Sequence, residues 1–460
     1  MRCRMSIQQY EQALQGKLVL PTSELYDEKR QIWNSAVQSK PEAIIICETE
    51  QDVAEAVNYA NARGLTIAVK GGGHHLAGFA VAEGSVVIDM SAMKTITVNE
   101  ETKTVEVEAG IRAGELTGEV QKYGLAVPLG TASNPGAFGV TLSGGMGYLR
   151  GVYGLACDNV IGATIVTAAG EIITVDENSH ADLLWALRGG GGNFGVVTKL
   201  VYQAYEIGTE VFALDLMYDY ADAKEVFTNA QRFVESAPNE AVAVNFTVAI
   251  LPPVPFLPEA LHFKKVIMVL GMYAGAKEDG EAAMQPIREL AKPIVDQSGI
   301  IPYIALQQKL DPMIPPRVNC YGTALYYDKL EGEALQKFLS FMDAPPSPAI
   351  LGQVWSLGGK MNEVTAETSP FAMRDAGWAV IVDVMALEGD DAACEAWIND
   401  LYNGLLPYAH KKASYLNSIN PTENAVKDAF ADNYARLQQV KAQYDPTNVF
   451  CHNHNIEVAK

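Results

Sequence analysis

The stretch Lys70 to Gly78, KGGGHHLAG, sets three consecutive glycines and two histidines directly after a short apolar run, Leu65 to Val69. Glycine lacks a Cβ, so such a loop lets backbone N–H groups approach a ligand closely. Consecutive amides in turns of this kind form concavities that suit phosphate oxygens. His74 and His75 lie inside the loop rather than on a helix or strand face. A lone histidine is more often structural than chemical. In a loop shaped for close approach, however, a neutral imidazole is a nucleophile within reach of the ligand.

Working outward, Ala43 to Cys47 (AIIIC) has the pattern of a short buried strand. Thr49, with Asp52 three places on, is a capping signal for an amphipathic helix that Gly64 closes. Strands are predicted at Ser85 to Asp89 and Thr104 to Glu108, and a helix at Arg112 to Tyr123. VIGATIVTAAGEIITV reads as two strands turning at Ala169-Gly170, Ser179 to Leu187 as a short helix, and VVTKLVYQAY as another strand.

Two more glycine-rich segments follow the first: GVTLSGGMGYL (Gly139 to Leu149) and RGGGGNFG (Arg188 to Gly195). One such cluster would be read as a tight turn. Three in the first half of a chain point to a large phosphorylated cofactor. Gly190, Gly192 and Gly195 formally match GxGxxG, but a helix precedes them and a strand follows, the reverse of a dinucleotide-binding turn. No GxxxxGK[ST] occurs, which removes a P-loop.

Past Ile207 the glycine clusters mostly stop, and strands such as Val266 to Tyr273 alternate with helices and proline-rich connections. The 460 residues suit two sizeable domains. Hydrophobic residues at 48% and charged ones at 19% fit packed globular structure. A net charge of −21 disfavours nucleic acid and anionic membranes as partners. No apolar run reaches the length of a membrane span or a signal-peptide core, so a soluble, cytoplasmic protein is expected. The six cysteines form no CxxC pair and are expected to be mostly buried thiols. His452 and His454 make an HxH without carboxylate or cysteine partners at ligand spacing, so no metal site is expected.

Taken in order, these residues resemble the berberine-bridge-enzyme-like branch of the vanillyl-alcohol-oxidase family, whose FAD-binding domain is of the PCMH type. Lys70 to Gly78 matches the pattern around the family's flavin-linking histidine, SGGMGYLRGVYGLACDNV (Ser143 to Val160) its second signature, and LLWALRGGGGNFGVVT (Leu183 to Thr198) its third. Near the C-terminus, Tyr415-Leu416-Asn417 is similar to the family's YxN, and YDPTNVFCHNHNI (Tyr444 to Ile456) to its closing segment.

The resemblance implies an α+β protein: a two-part FAD-binding domain from residues 1–207 (core about 36–207) and 411–460, with an inserted α+β substrate domain, an antiparallel sheet with helices, at 208–410. It implies FAD bonded through His74, with His75, one place later, the second candidate for that tether. Cofactor contacts would come from Lys70, Gly71, Gly72, Gly73 and Gly78, and from Gly139, Thr141, Ser143, Gly144, Gly147 and Tyr148. Asp158, Asn159, Val197, Asn453 and Asn455 complete that set. Many relatives carry a second, cysteine tether where this chain has Ala132 or Ser133, so a single covalent bond is expected, and Cys157 reads as a packed thiol. An aromatic residue that some relatives carry two places after the histidine is Leu76 here.

The reaction so implied is hydride removal from a C–H bond of a small alcohol, sugar or amine, with molecular oxygen reduced to hydrogen peroxide. Tyr415 is the preferred base and Asp383, on WAVIVDVM, the second candidate. A dehydrogenase with another acceptor, or a flavin-bearing structural or coat-associated protein, would carry the same motifs; turnover separates them. Tyr321, Tyr326 and Tyr327 either line the substrate pocket or belong to the core.

Overall fold

The computed structural model describes residues 7–255, 257–419 and 423–459. Cys3 and the basic residues that open the chain lie outside them. Among the described residues, the first glycine loop grows out of a four-stranded sheet. Ala43–Ile46 and Ile67–Lys70 both run parallel to Val86–Asp89, and Lys17–Val19 adds antiparallel at the edge. The connecting helix, Glu50–Arg63, starts as its sequence requires. Thr49 Oγ1 accepts the Asp52 amide at 3.2 Å, the Asp52 carboxylate accepts the Thr49 amide at 3.1 Å, and Gly64 ends the helix in the left-handed region.

A second, five-stranded antiparallel sheet holds Thr104–Glu108, Val160–Val166 and Val196–Gln203 at its centre. Gly170 turns the chain between Val160–Val166 and Ile172–Val175. The predicted Arg112–Tyr123 helix is an α-helix over Ala113–Val120 followed by a 3₁₀ turn, and the short helix starts at Ala181. Gly190 to Gly195 lies between that helix and the strand Val196–Gln203, the order opposite to a dinucleotide-binding turn.

One core joins both sheets to the C-terminal segment: Val86, Ile165 and Leu200 pack in the same cluster as Leu416, Leu437, Phe450 and Ile456. Each fully buried aliphatic side chain there contributes roughly 1.5–3 kcal/mol. A backbone bond from Ile67 N–H to the Val449 carbonyl and the fully buried Lys441–Asp445 pair fix the same return. The fold is thus the two-part α+β arrangement expected, assembled from both ends of the chain.

Between these ends runs an eight-stranded antiparallel sheet whose centre is Val244–Ile250, Ile350–Ser356 and Trp378–Ala386. Strand side chains alternate between faces. Val380, Val382 and Val384 pack on helices such as Gly332–Asp343 and Asp391–Leu405. On the opposite face Leu351 and Met385 pack with Leu76 and Tyr148 of the N-terminal part of the chain.

Arg150 is wholly buried at this junction. Its Nε donates to the Ser356 carbonyl, Nη1 to the Gly147 carbonyl and Nη2 to Asn245 Oδ1, each at 2.9 Å. No helix among the described residues is long and apolar enough to cross a membrane.

Candidate active site

A cavity of about 400 Å³ separates the large sheet from the glycine segments. Gly71, Gly72 and Gly73 form one part of its wall and Gly190, Gly191 and Gly192 another. The first loop reaches Gly136, just before the second segment, only because both positions carry glycine. A Cβ on Gly136 would lie 2.5 Å from the Gly72 amide nitrogen, and one on Gly72 would collide with the Gly136 backbone in return. Two chain segments are thereby pressed together with their amides at the cavity edge, the close approach that glycine permits.

His74 lines the cavity with its ring stacked on Trp33, the centroids 5.3 Å apart at 14°. Burial, with a smaller contribution from the Arg112 charge, pushes its pKa down to about 4. The imidazole is therefore neutral across the physiological range and keeps a nucleophilic nitrogen. His75 also lines the wall. Its Nδ1 accepts the Ala77 amide at 3.1 Å, so Nε2 carries the proton and donates to the Leu416 carbonyl at 2.9 Å. Among the described residues, then, His75 is tied through both ring nitrogens and His74 through neither.

The C-terminal segment supplies three consecutive buried polar atoms without protein partners: Asn453 Oδ1, His454 Nδ1 and Asn455 Oδ1. Asn453 and His454 belong to the cavity wall. Buried polar atoms are ordinarily satisfied, so these orphans fit a polar cofactor lying along this segment. The residues present thus suit FAD: amide-rich glycine turns for the diphosphate, a free neutral histidine and unpaired polar atoms for the rest.

The remaining wall comes from the large sheet. Asp383 sits in the middle of its strand, not at the end, and faces the cavity. Burial raises its pKa to about 7, opposed only by a 3.3 Å hydrogen bond from Gln353 Nε2. Gln353 is itself oriented, because its Oε1 accepts Trp355 Nε1–H at 3.2 Å. Tyr415 closes the cavity from the C-terminal return. Its hydroxyl oxygen accepts the Asn417 side-chain amide at 3.0 Å and the Met146 amide at 3.4 Å. Burial still holds the phenol above its ordinary pKa.

The structure brings together, on this one wall, Gly71 to Gly73, His74, His75, Gly139, Ser143, Val197, Asn453, Asp383 and Tyr415. Other motif residues stand behind it. Lys70 Nζ donates to the Lys29 carbonyl and pairs with Asp89 at 3.4 Å, and Gly78 packs on Val37. Thr141 Oγ1 meets the Tyr202 hydroxyl at 2.9 Å, Gly144 packs on Phe371 and Gly147 on the Leu129 carbonyl. Tyr148 is buried between the sheets. Asp158 holds Arg374 in a buried ion pair at 2.5 Å, and Asn159 donates to the Tyr153 and Leu155 carbonyls.

Ala132 lines the cavity at the place of the second tether, and Cys157 is fully buried with its thiol pushed up by burial. Tyr326 and Tyr327 belong to the cores, and Tyr321 hydrogen-bonds Asp391; none of the three lines this cavity. His452 bonds Thr66 Oγ1 at 2.7 Å while His454 turns to the Leu416 carbonyl, and no group of three potential metal ligands occurs among the described residues.

Gln353, Trp355 and Leu351 are wall residues that the sequence reading does not name. Their signal is the i, i+2, i+4 spacing in ILGQVWS, a single polar side chain on an otherwise apolar strand face.

Comparison with known proteins agrees with this geometry. A family model described as FAD binding domain matches residues 41–176, and one described as berberine and berberine like matches residues 414–457. Fold and site together define a FAD-linked oxidoreductase. A FAD-linked oxidoreductase of Dictyostelium discoideum is 30% identical over 459 residues, covering 98% of this chain and 96% of the relative. The chain belongs to the berberine-bridge-enzyme-like FAD-linked oxidoreductases.

The (R)-6-hydroxynicotine oxidase of Paenarthrobacter nicotinovorans is 29% identical over 469 residues, 97% of each chain. The crystal structure of a carbohydrate oxidase from Microdochium nivale, with a substrate analogue, matches with a TM-score of 0.86 at 24% identity. That match spans 99% of this chain and 100% of the other.

Proposed function

We propose that this chain is an oxidase holding FAD through one covalent bond from His74, with residues 1–207 and 411–460 binding the flavin and 208–410 binding substrate. The observation that carries this reading is the shared cavity. A neutral, unpartnered His74 lines one part of it, and an uncompensated carboxylate, Asp383, lines another. Bound FAD supplies a two-electron acceptor whose electrons pass on to molecular oxygen, giving hydrogen peroxide.

The substrate's reacting carbon carries an O–H or N–H group, and this chain removes that proton while the C–H hydrogen departs as hydride. We assign the proton to Asp383 rather than Tyr415. A base whose pKa lies near neutrality is poised to accept at physiological pH. The Tyr415 hydroxyl, already accepting two N–H groups and held protonated by burial, is better suited to donate to the substrate. Asn453 and His454 would complete the cofactor's polar contacts.

The test is acid precipitation of purified protein. Yellow colour retained by wild type and by His75→Ala, but lost from His74→Ala, supports the tether. Colour that stays with His74→Ala refutes it. Hydrogen peroxide formed during turnover separates an oxidase from a dehydrogenase that uses another acceptor.

A further inference from the structure

Apart from Asp383, the part of the wall contributed by the large sheet and its neighbours is almost without hydrogen-bonding capacity. Trp33, Leu310, Ile314, Leu351, Trp355 and Met385 line it. Gln353 already uses its oxygen on Trp355 and one N–H on Asp383. Asn417 donates to Tyr415, which keeps a single O–H for the substrate. A sugar ring would bury several hydroxyls here with few partners, each unpaired one costing on the order of 1–3 kcal/mol.

Asp383, by contrast, is a buried carboxylate with no lysine or arginine among the described residues that line its cavity. Buried charges are ordinarily paired. With a net charge of −21, the molecule also draws cations.

We propose that the substrate is an apolar small molecule carrying one basic nitrogen, bound as its ammonium ion against Asp383. This rests on the oxidase reading of the same cavity. One N–H proton passes to the Asp383 carboxylate, leaving a neutral amine. The hydrogen on the adjacent carbon then leaves with its electron pair to the flavin. The product is an iminium ion, which water hydrolyses to a carbonyl compound and an amine. The two electrons end on oxygen as hydrogen peroxide.

The test titrates the holoenzyme with N-methylbenzylamine, benzyl alcohol and cellobiose, reading the quenching of tryptophan fluorescence (Trp33 and Trp355 line the cavity) and anaerobic bleaching of the flavin band. The amine should bind at least about tenfold tighter than the alcohol, and cellobiose should not saturate. Asp383→Asn, which mimics the neutral carboxyl and so preserves the fold, should abolish the amine's advantage over the alcohol. Saturable cellobiose binding with bleaching, or equal affinity for amine and alcohol, overturns the proposal. A preparation without a flavin band overturns the oxidase reading instead, and the fluorescence titration still decides the substrate class.

Discussion

Gly322 lies directly across the strand pair from Asp383, and a Cβ built on it would sit 2.5 Å from the carboxylate Oδ1 and 2.5 Å from Leu76 Cδ1. The missing side chain is what leaves room for the acid in its observed position. Gly322→Ala should displace the carboxylate or Leu76 at an overpacking cost of about 1–3 kcal/mol. Flavin content should be unchanged, and kcat should fall on the order of tenfold or more, since a small misplacement of a reacting group is expensive. Equal kcat in the purified variant would show that Asp383 has slack in the site.

The raised pKa of Asp383 gives two pH dependences with opposite consequences. The neighbours facing it are Gln353 on one strand, Gly322 and Cys320 on the other, and Leu76 from the first glycine loop. Cys320 stays a neutral thiol because burial pushes its pKa well up. As a base, Asp383 is active only when ionised, so kcat/KM should rise with pH through about 7 and then level. Asp383→Asn should remove that limb and lower the rate by roughly 10²-fold or more, after correction for the substrate's own ionisation. For stability the sign reverses. The folded state holds the proton more tightly than the unfolded chain, so stability falls as pH rises from about 4 to about 7. The Asn variant should therefore melt higher than wild type at pH 8 and equally at pH 4, as read by thermal unfolding.

How much of this was legible beforehand depended on how local the signal was. The helix Glu50–Arg63 was readable because Thr49, Asp52 and Gly64 act within a few residues of the backbone they cap. The strand Lys17–Val19 was not, because three residues carry no period and the strand exists only by pairing with Ile44–Ile46. In the site, His74 was marked by its glycine loop. Gln353 and Trp355 were hidden because their strand is buried throughout, so that polarity alternates only at one position. Motif membership did not separate wall from support: Ser143 lines the cavity, while Asp158 in the same signature anchors Arg374. A carboxylate in a glycine-rich motif looks the same in sequence whether it meets a ligand or an arginine more than two hundred residues away.

Acid should destabilise the site before the rest of the protein. Burial pushes His74 and His75 down to about 4 and, aided by His75, His454 down to about 3. All three are neutral in the fold and protonate in the unfolded chain below about 6.5. Their contribution is complete above that value and is lost as pH falls toward about 4. The urea midpoint of wild type should drop steeply between pH 6.5 and pH 4.5. His454→Gln, which removes one titrating ring, should flatten that slope by on the order of 1–3 kcal/mol across the interval. An unchanged slope would mean that His454 is solvated enough to titrate normally.

Arg150 tests what holds the large sheet against the flavin-type fold. A buried ion pair replaced by apolar groups of similar volume is often neutral or even stabilising, because the desolvation cost disappears with the charge. Arg150 is different in kind. Its hydrogen bonds go to the carbonyls of Gly147 and Ser356 and to Asn245 Oδ1, on both sides of the junction, and its pKa is lowered to about 10 by burial. Substitution by Met removes the cation's own desolvation cost but takes the guanidinium donor from the Ser356 carbonyl and Asn245 Oδ1, at roughly 1–3 kcal/mol each, and leaves the Gly147 carbonyl only the backbone amide of residue 150 at 3.2 Å. The unpaired acceptors should win. Arg150→Met should lose about 3–5 kcal/mol of stability in urea, and Arg150→Lys, with three donors on a shorter reach, should recover part of that loss. A Met variant within about 1 kcal/mol of wild type would mean that water enters the junction and takes over the guanidinium's bonds.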